Sequence, residues 1–180
     1  MEINKYLLIA KNTWEEMLTY RLSFTIWRIR TVLQVVTMYF LWFAILPADR
    51  TILGYTQSEI LTYILGTSIL SSIVLSSRSY EIGDDINRGN LSNLLLRPIN
   101  YFFYWFAKDM GDKAMNITFC LGELTILFIL LRPPLFVQTQ PTYLIFTLTF
   151  ILLALFLYFL LNVLFGLIGF WSPEVWAPRF

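Results

Sequence analysis

Long stretches without charged residues constrain this chain more than any other feature. Thr31–Leu46 has sixteen residues and Ile60–Ser77 has eighteen, and neither contains a charge. Ala114–Leu131 contains one, Glu123, and Pro133–Pro173 contains none. A helix needs about 20 mainly apolar residues to cross a hydrocarbon core of about 30 Å, and lipid offers no hydrogen bonds to an open backbone. The expected fold is therefore all-α, a polytopic membrane helix bundle.

Four transmembrane helices are expected, at 29–46, 59–77, 114–131 and 143–171, within a single domain. Residues 1–28 are expected to form an amphipathic interfacial helix, because apolar residues recur there at spacings of three and four between charged ones. These apolar residues are Ile3, Leu7, Ala10, Trp14, Met17 and Leu18. The alternative is that this segment is simply the cytosolic start of the first span.

Lysine and arginine residues predict the orientation of the spans. Segments 1–30 and 78–113 hold five each, whereas the loops 47–58 and 132–142 hold one each. Because basic loops stay on the cytoplasmic side, both basic segments and the amino terminus are expected in the cytoplasm. Four spans place the two segments on the same side.

The residue inventory argues against catalysis by this chain. Histidine is absent, so no Ser-His dyad or HExxH zinc site exists, and the sequence contains no nucleotide-binding P-loop. Asp84 and Asp85 are adjacent, a spacing more typical of solvated carboxylates than of metal ligands, and Cys120 is a lone cysteine. The chain is expected to be no enzyme and to hold no cofactor or metal. Without a basic tail or stripe, nucleic acid is not expected as a partner.

Glu123 lies near the middle of the third predicted span, where a charge is costly and faces a bundle interior or a wet cavity. Arg28 and Arg30 are expected to reach the membrane interface, so no intramembrane cation is expected as its partner. Two interpretations stay open. Glu123 is either a hydrogen-bonded structural residue at a helix contact or part of a substrate or ion path.

The cytoplasmic loop 78–113 carries the strongest functional signal. Gly89 interrupts its helical start, and a short helix is expected from Leu91 to Leu96. Asn90 is expected to cap this helix, and Pro98 to end it, because proline disfavours helical geometry in the residue before it.

An apolar knob is expected on this short helix, because Leu91, Leu94 and Leu95 share one face between Arg88 and Arg97. Knobs of this kind dock into grooves on partner proteins. The alternative is a helix that lies against lipid. The aromatic segment 101–106 is then a second interfacial element.

An amphipathic start, two spans and the loop IGDDINRGNLSNLLLRPIN together resemble the permease subunits of bacterial ABC exporters (ABC type 2). In particular, the D-I…G-x-L…L-L-R-P-I-N part of the loop looks like the subgroup described as ABC-2 family transporter proteins. The resemblance covers the whole chain. It implies a homo- or heterodimer of permeases in the bacterial cytoplasmic (inner) membrane, driven by two cytosolic ATPase subunits. It also implies that residues 88–97 contain the coupling helix that touches the ATPase.

Such permeases usually have six spans, so this chain is expected to be a carboxyl-terminally truncated fragment. The expected function is a permease subunit that couples ATP hydrolysis by a separate chain to export. Two alternatives come from other classes of protein. One is an ATP-independent channel or secondary transporter, and the other is a membrane scaffold that recruits a cytosolic protein through the same loop.

Overall fold

The computed structural model describes residues 2–46, 51 and 54–172, and most of these residues are helical. Met1, Pro47 and residues 173–180 lie outside them, so the expected stop of the first span at Pro47 is not described. Seven α-helices follow in order: α1 (Glu2–Thr19), α2 (Arg21–Ile45), α3 (Gln57–Val74), α4 (Glu81–Asn87), α5 (Asn90–Leu95), α6 (Tyr101–Leu131) and α7 (Pro141–Leu167). A 3-10 turn, Ile168–Phe170, extends α7.

Three of the described helices are long and apolar enough to cross a membrane: α2, α6, and α7 with its 3-10 turn. They correspond to the first, third and fourth expected spans. The second, α3, has 18 residues, about 27 Å at 1.5 Å per residue, and is too polar to meet the same criterion. Its Leu61 and Leu65 pack with Tyr39 of α2. A helix covered by its neighbours needs fewer apolar residues than one that faces lipid. The assignment of α3 as a fourth span stays a prediction.

The first two helices divide at Tyr20 rather than at residue 28. Tyr20 has ψ of 36°, outside the helical range, between the end of α1 at Thr19 and the start of α2 at Arg21. No glycine or proline marks this junction in the sequence, which is why periodicity alone places the boundary too late. As a result, Arg28 lies well inside α2.

The helix at the third expected span, α6, begins earlier than expected, at Tyr101 instead of residue 114. The Asn100 side chain caps α6 by accepting hydrogen bonds from the backbone N–H groups of Phe102 (3.0 Å) and Phe103 (3.2 Å). The 31 residues of α6 span about 46 Å, more than a bilayer core of about 30 Å. The aromatic segment 101–106 therefore forms the first turns of α6.

The backbone of α1 lies in close contact with the backbone of the first half of α6. A methyl group built on Gly111 would lie 2.5 Å from the carbonyl oxygen of Ala10. A second close contact joins α4 to α7, where the same construction on Gly166 would come within 2.7 Å of the Ile82 side chain. Glycine at these two positions lets α1 and α4 pack directly on the long helices.

Gly111→Ala should separate α1 from α6, because the added methyl group meets backbone rather than a movable side chain. Overpacking of this kind costs about 1–3 kcal/mol, measurable as a lower unfolding temperature of the detergent-solubilised protein. Gly122→Ala is the matched control, since it lies on the same helix with no neighbouring atom within 4 Å. Equal unfolding temperatures for the two variants would contradict the close α1–α6 contact.

Candidate functional site

The loop between α3 and α6 folds into two short helices, α4 and α5, that meet at Gly89. Gly89 has φ of 72°, a left-handed conformation that glycine adopts without steric cost. It occupies the position before α5, where Asn90 was expected as the cap. The Asn90 amide instead donates a hydrogen bond to Asp85 at 3.3 Å, which fixes α5 against α4.

The leucines in and directly after α5 differ in exposure from what the expected knob requires. Leu94 is only 8% exposed, whereas Leu95 is 63% exposed and Leu96 is 85% exposed. Leu91 is half-buried. The expectation that Leu94 projects outward is therefore wrong, because the side of α5 that carries it turns toward the rest of the chain. The exposed apolar tip consists of Leu95 and Leu96.

Leu96 was missed as a tip residue because a continued helix would have turned it away from Leu95. α5 ends at Leu95, and the chain turns there toward Pro98. Arg88 and Arg97, which flank the tip in the sequence, are both exposed, and their place at the rim of a partner interface stays a prediction. The signal available in the sequence was the unbroken Leu94–Leu96 run directly before Arg97.

The other end of this segment is anchored in an aromatic cluster. Ile82 of α4 is fully buried with Trp105 of α6 and Phe159 of α7. Phe102 and Phe106 each make an edge-on contact with Phe159, at ring-centroid distances of 5.1 and 5.3 Å. The α4 helix is thus held by two of the long helices at once.

Three charged residues form a partly buried ion cluster that fixes the start of α4: Arg78, Glu81 and Lys108. Glu81 accepts hydrogen bonds from Arg78 Nη1 at 2.5 Å and from Lys108 Nζ at 2.8 Å. Burial favours the neutral carboxyl, but the hydrogen bonds and charges of Lys108 and Arg78 outweigh it and hold the pKa of Glu81 below its usual value. Glu81 is therefore ionised at neutral pH and ties α4 to α6.

Because the folded pKa of Glu81 is lowered, its contribution to stability is full above the ordinary value of 4.5 and is lost as pH falls through the lowered value. At neutral pH, Glu81→Gln should lower the free energy of unfolding by about 1.5–3 kcal/mol, and this difference should shrink in acid. Thermal unfolding of both proteins across this pH range measures it. Asp84→Asn, on an exposed position of α4, is the control, and a difference independent of pH would contradict the ionised cluster.

A second set of polar residues, the inner polar network, lies deeper and joins α2, α6 and the end of α3. Its members are Arg28, Ser76, Asp112, Asn116 and Glu123. Asn116 accepts a hydrogen bond from Arg28 at 3.3 Å and donates one to the Ser76 hydroxyl at 2.9 Å. Ser76 in turn donates to Asp112.

The two polar groups meet at Arg78. Its Nε lies 3.6 Å from Asp112 Oδ1, and its backbone N–H donates to Asp109 Oδ1 at 3.2 Å. Lys113 pairs with Asp109 at 3.2 Å and donates to the carbonyl of Ser76. A continuous chain of hydrogen bonds and ion pairs therefore runs from α4 to Arg28 in α2 and Glu123 in α6.

Glu123 has a cationic partner, contrary to expectation. Arg28 Nε donates to Glu123 Oε1 at 2.7 Å, and Arg28 Nη2 bonds the other carboxylate oxygen. The Arg28 side chain is only 6% exposed, so it is buried between helices. The early start of α2 accounts for the difference, because it places Arg28 inside the helix and opposite α6.

Comparison with known proteins agrees with this architecture. No curated protein and no solved structure matches the chain. Residues 32–178 match the family described as ABC-2 family transporter protein. That range covers the second half of α2 and the whole of α6, α7 and the α4–α5 segment. The chain therefore belongs to the ABC-2 family of transporter proteins, the membrane components of ABC transporters.

Proposed function

We propose that this chain is the permease subunit of an ATP-driven exporter in the bacterial cytoplasmic membrane, with its amino terminus inside the cell. A separate cytosolic ATPase hydrolyses ATP, and the chain itself catalyses no reaction. It pairs with a second permease subunit. The observation that carries this proposal is an exposed apolar tip, Leu95–Leu96, on a segment tied to the membrane helices by partly buried ion pairs.

The tip suits a protein partner better than a lipid surface. It is small, apolar and flanked by Arg88 and Arg97, a pattern of central anchor and charged rim common at protein interfaces. Movement imposed on the tip passes to α4 through Gly89 and the Asn90–Asp85 hydrogen bond. From α4 it reaches α6 through Glu81 and Lys108, which is the transmission that coupling to an ATPase requires.

A polar groove of about 390 Å³ between α2 and α3 supports a transport path. Its polar lining residues are Arg30, Thr31, Gln34, Thr67, Ser68, Ser71 and Ser72. Several of the hydroxyls bond carbonyl groups of their own helices, but Arg30 and Gln34 are too polar to face lipid without cost. The same groove also favours the second candidate, a channel or secondary transporter that works without ATP.

The two candidates differ in whether the chain recruits an ATPase. The test is purification of the tagged protein from its native membrane, followed by identification of the proteins that copurify and measurement of ATP hydrolysis. The exporter proposal expects a P-loop ATPase whose hydrolysis rises when the permease is present. Solute flux through the purified chain in vesicles, without ATP and without such a partner, would favour the channel.

The orientation has its own test. A cysteine at Gln138, in the loop between α6 and α7, should react with a membrane-impermeant maleimide in intact cells. A cysteine at Asn90 should be protected until the membrane is opened. Cys120→Ser provides the background, because Cys120 is the native cysteine. Labelling of Asn90→Cys from outside would overturn the proposed topology.

A further inference from the structure

A cleft of about 460 Å³ opens beside the ion pairs, between the α1–α2 junction, the end of α3, and α6 and α7. Its size is within the range of about 300–1,000 Å³ that small-molecule sites occupy. Its lining residues Tyr20 and Leu75 are exposed, so the cleft is open near the point where the chain enters its first membrane helix. Neither the proposed coupling segment nor the α2–α3 groove accounts for it.

The lining of the cleft is divided by polarity. Asn116, Asn162 and Ser77 are buried polar residues on it, whereas Met17, Phe24 and Trp27 supply apolar and aromatic surface. A ligand that satisfies both parts is an amphiphile, with its polar head on the amides and hydroxyls and its apolar part along the aromatic side. Tyrosine and tryptophan are enriched at the headgroup level of membranes for the same reason.

The charges on the described lining are one cation, Arg78, and one anion, Asp112. Arg78 uses Nη1 for Glu81 and Nε for Asp112, so Nη2 is the guanidinium nitrogen left for a phosphate oxygen. Asp112 lines the cleft together with Tyr20 and Tyr158, and Lys113 Nζ already lies 5.8 Å from the centre of the Tyr158 ring. A carboxylate that shares a cleft with such rings suits an ammonium group, since aromatic faces attract cations. A head with one negative and one positive group matches this pair without leaving a net charge.

We propose that this cleft binds the headgroup of a zwitterionic phospholipid from the surrounding bilayer. The phosphate lies toward Arg78, the ammonium group toward Asp112 and the tyrosines, and the acyl chains leave past Leu75. Bound there, the lipid contacts both α2 and α6 next to the ion pairs that join them.

Native mass spectrometry of the delipidated full chain tests this with phosphatidylethanolamine and phosphatidylglycerol as separate probes. The zwitterionic lipid should bind at least fivefold more tightly than the anionic one. Tyr20→Leu and Asn162→Leu should each weaken its binding about fivefold. Neither change should unfold the protein, because Tyr20 is exposed and the Asn162 amide bonds within its own helix. Tyr63→Leu, an exposed tyrosine outside the cleft, is the matched control and should bind like the wild type.

Three results would overturn the proposal. They are equal or tighter binding of phosphatidylglycerol, unchanged phosphatidylethanolamine binding in both cleft variants, and displacement of the lipid by soluble glycerophosphoethanolamine at similar concentration. The last would assign the cleft to a water-soluble zwitterion instead. No ATPase takes part in the measurement, so its outcome is independent of the proposed exporter function.

Discussion

Replacement of Leu95 and Leu96 by aspartate should release the ATPase from the permease. Both side chains are largely exposed, so neither contributes much to the packing of the chain itself. Apolar anchors at the centre of an interface contribute about 2 kcal/mol or more each, which corresponds to about thirtyfold in affinity. An aspartate carboxylate placed in the ATPase groove that accepts these leucines adds a desolvation cost. The double variant should insert normally and lose copurification with the ATPase.

Asn93→Asp is the control for the added charge, because it places a carboxylate on an exposed position of the same helix without removing a leucine. It should keep the ATPase bound. Leu94→Asp is the less informative variant, since Leu94 is buried and its loss would disturb the chain itself. Arg97→Gln should slow association more than it weakens the complex, as rim charges do. Unchanged copurification of the Leu95–Leu96 double variant would assign the tip to lipid.

Removal of Glu123 should have the largest effect on stability. Glu123→Gln leaves the Arg28 guanidinium almost fully buried without a counter-charge, and breaking a buried ion pair costs about 3–5 kcal/mol. The unfolding temperature in detergent should therefore fall sharply. Arg30→Gln is the matched control, because it removes an arginine two residues away on an exposed position of α2.

A double-mutant cycle separates the ion pair from the loss of either side chain alone. Arg28→Met with Glu123→Gln should recover much of the stability lost in Glu123→Gln, because no buried charge is then left unpaired. If Glu123→Gln is as stable as the wild type, the ion pair is not formed in the folded protein. Glu123 would then again be a candidate for a wet path.

The helices that follow from the length of the uncharged stretches were predictable from the sequence. α2, α6 and α7 each contain a long apolar run, and length decides whether a helix spans a bilayer. The α4–α5 segment was predictable for a different reason. Gly89 and Pro98 are local signals, and each acts on the backbone within a residue or two of its position.

The parts that depend on side-chain pairing were not predictable. Four charged residues look like loop residues in the sequence, yet they lie inside α6 because each has an ion-pair partner. Glu81 pairs with Lys108 and Arg78 with Asp112, whereas Asp109 and Lys113 pair with each other one turn apart. The Arg28–Glu123 pair depends on where α2 begins, and no helix breaker marks that point at Tyr20. The burial of Leu94 depends on how α5 turns after Gly89, a tertiary feature that helical spacing does not contain.

In the proposed function, the α4–α5 segment transmits movement of the ATPase to the membrane helices through Glu81. ATP hydrolysis by the copurifying ATPase, with the permease in lipid nanodiscs, tests it most directly. Glu81→Gln keeps the Leu95–Leu96 tip, so it should still bind the ATPase but should lose the stimulation of hydrolysis. The Leu95–Leu96 double aspartate variant should lose both. Wild-type stimulation by Glu81→Gln would contradict transmission through Glu81, and wild-type stimulation by the double aspartate variant would contradict the role of the tip.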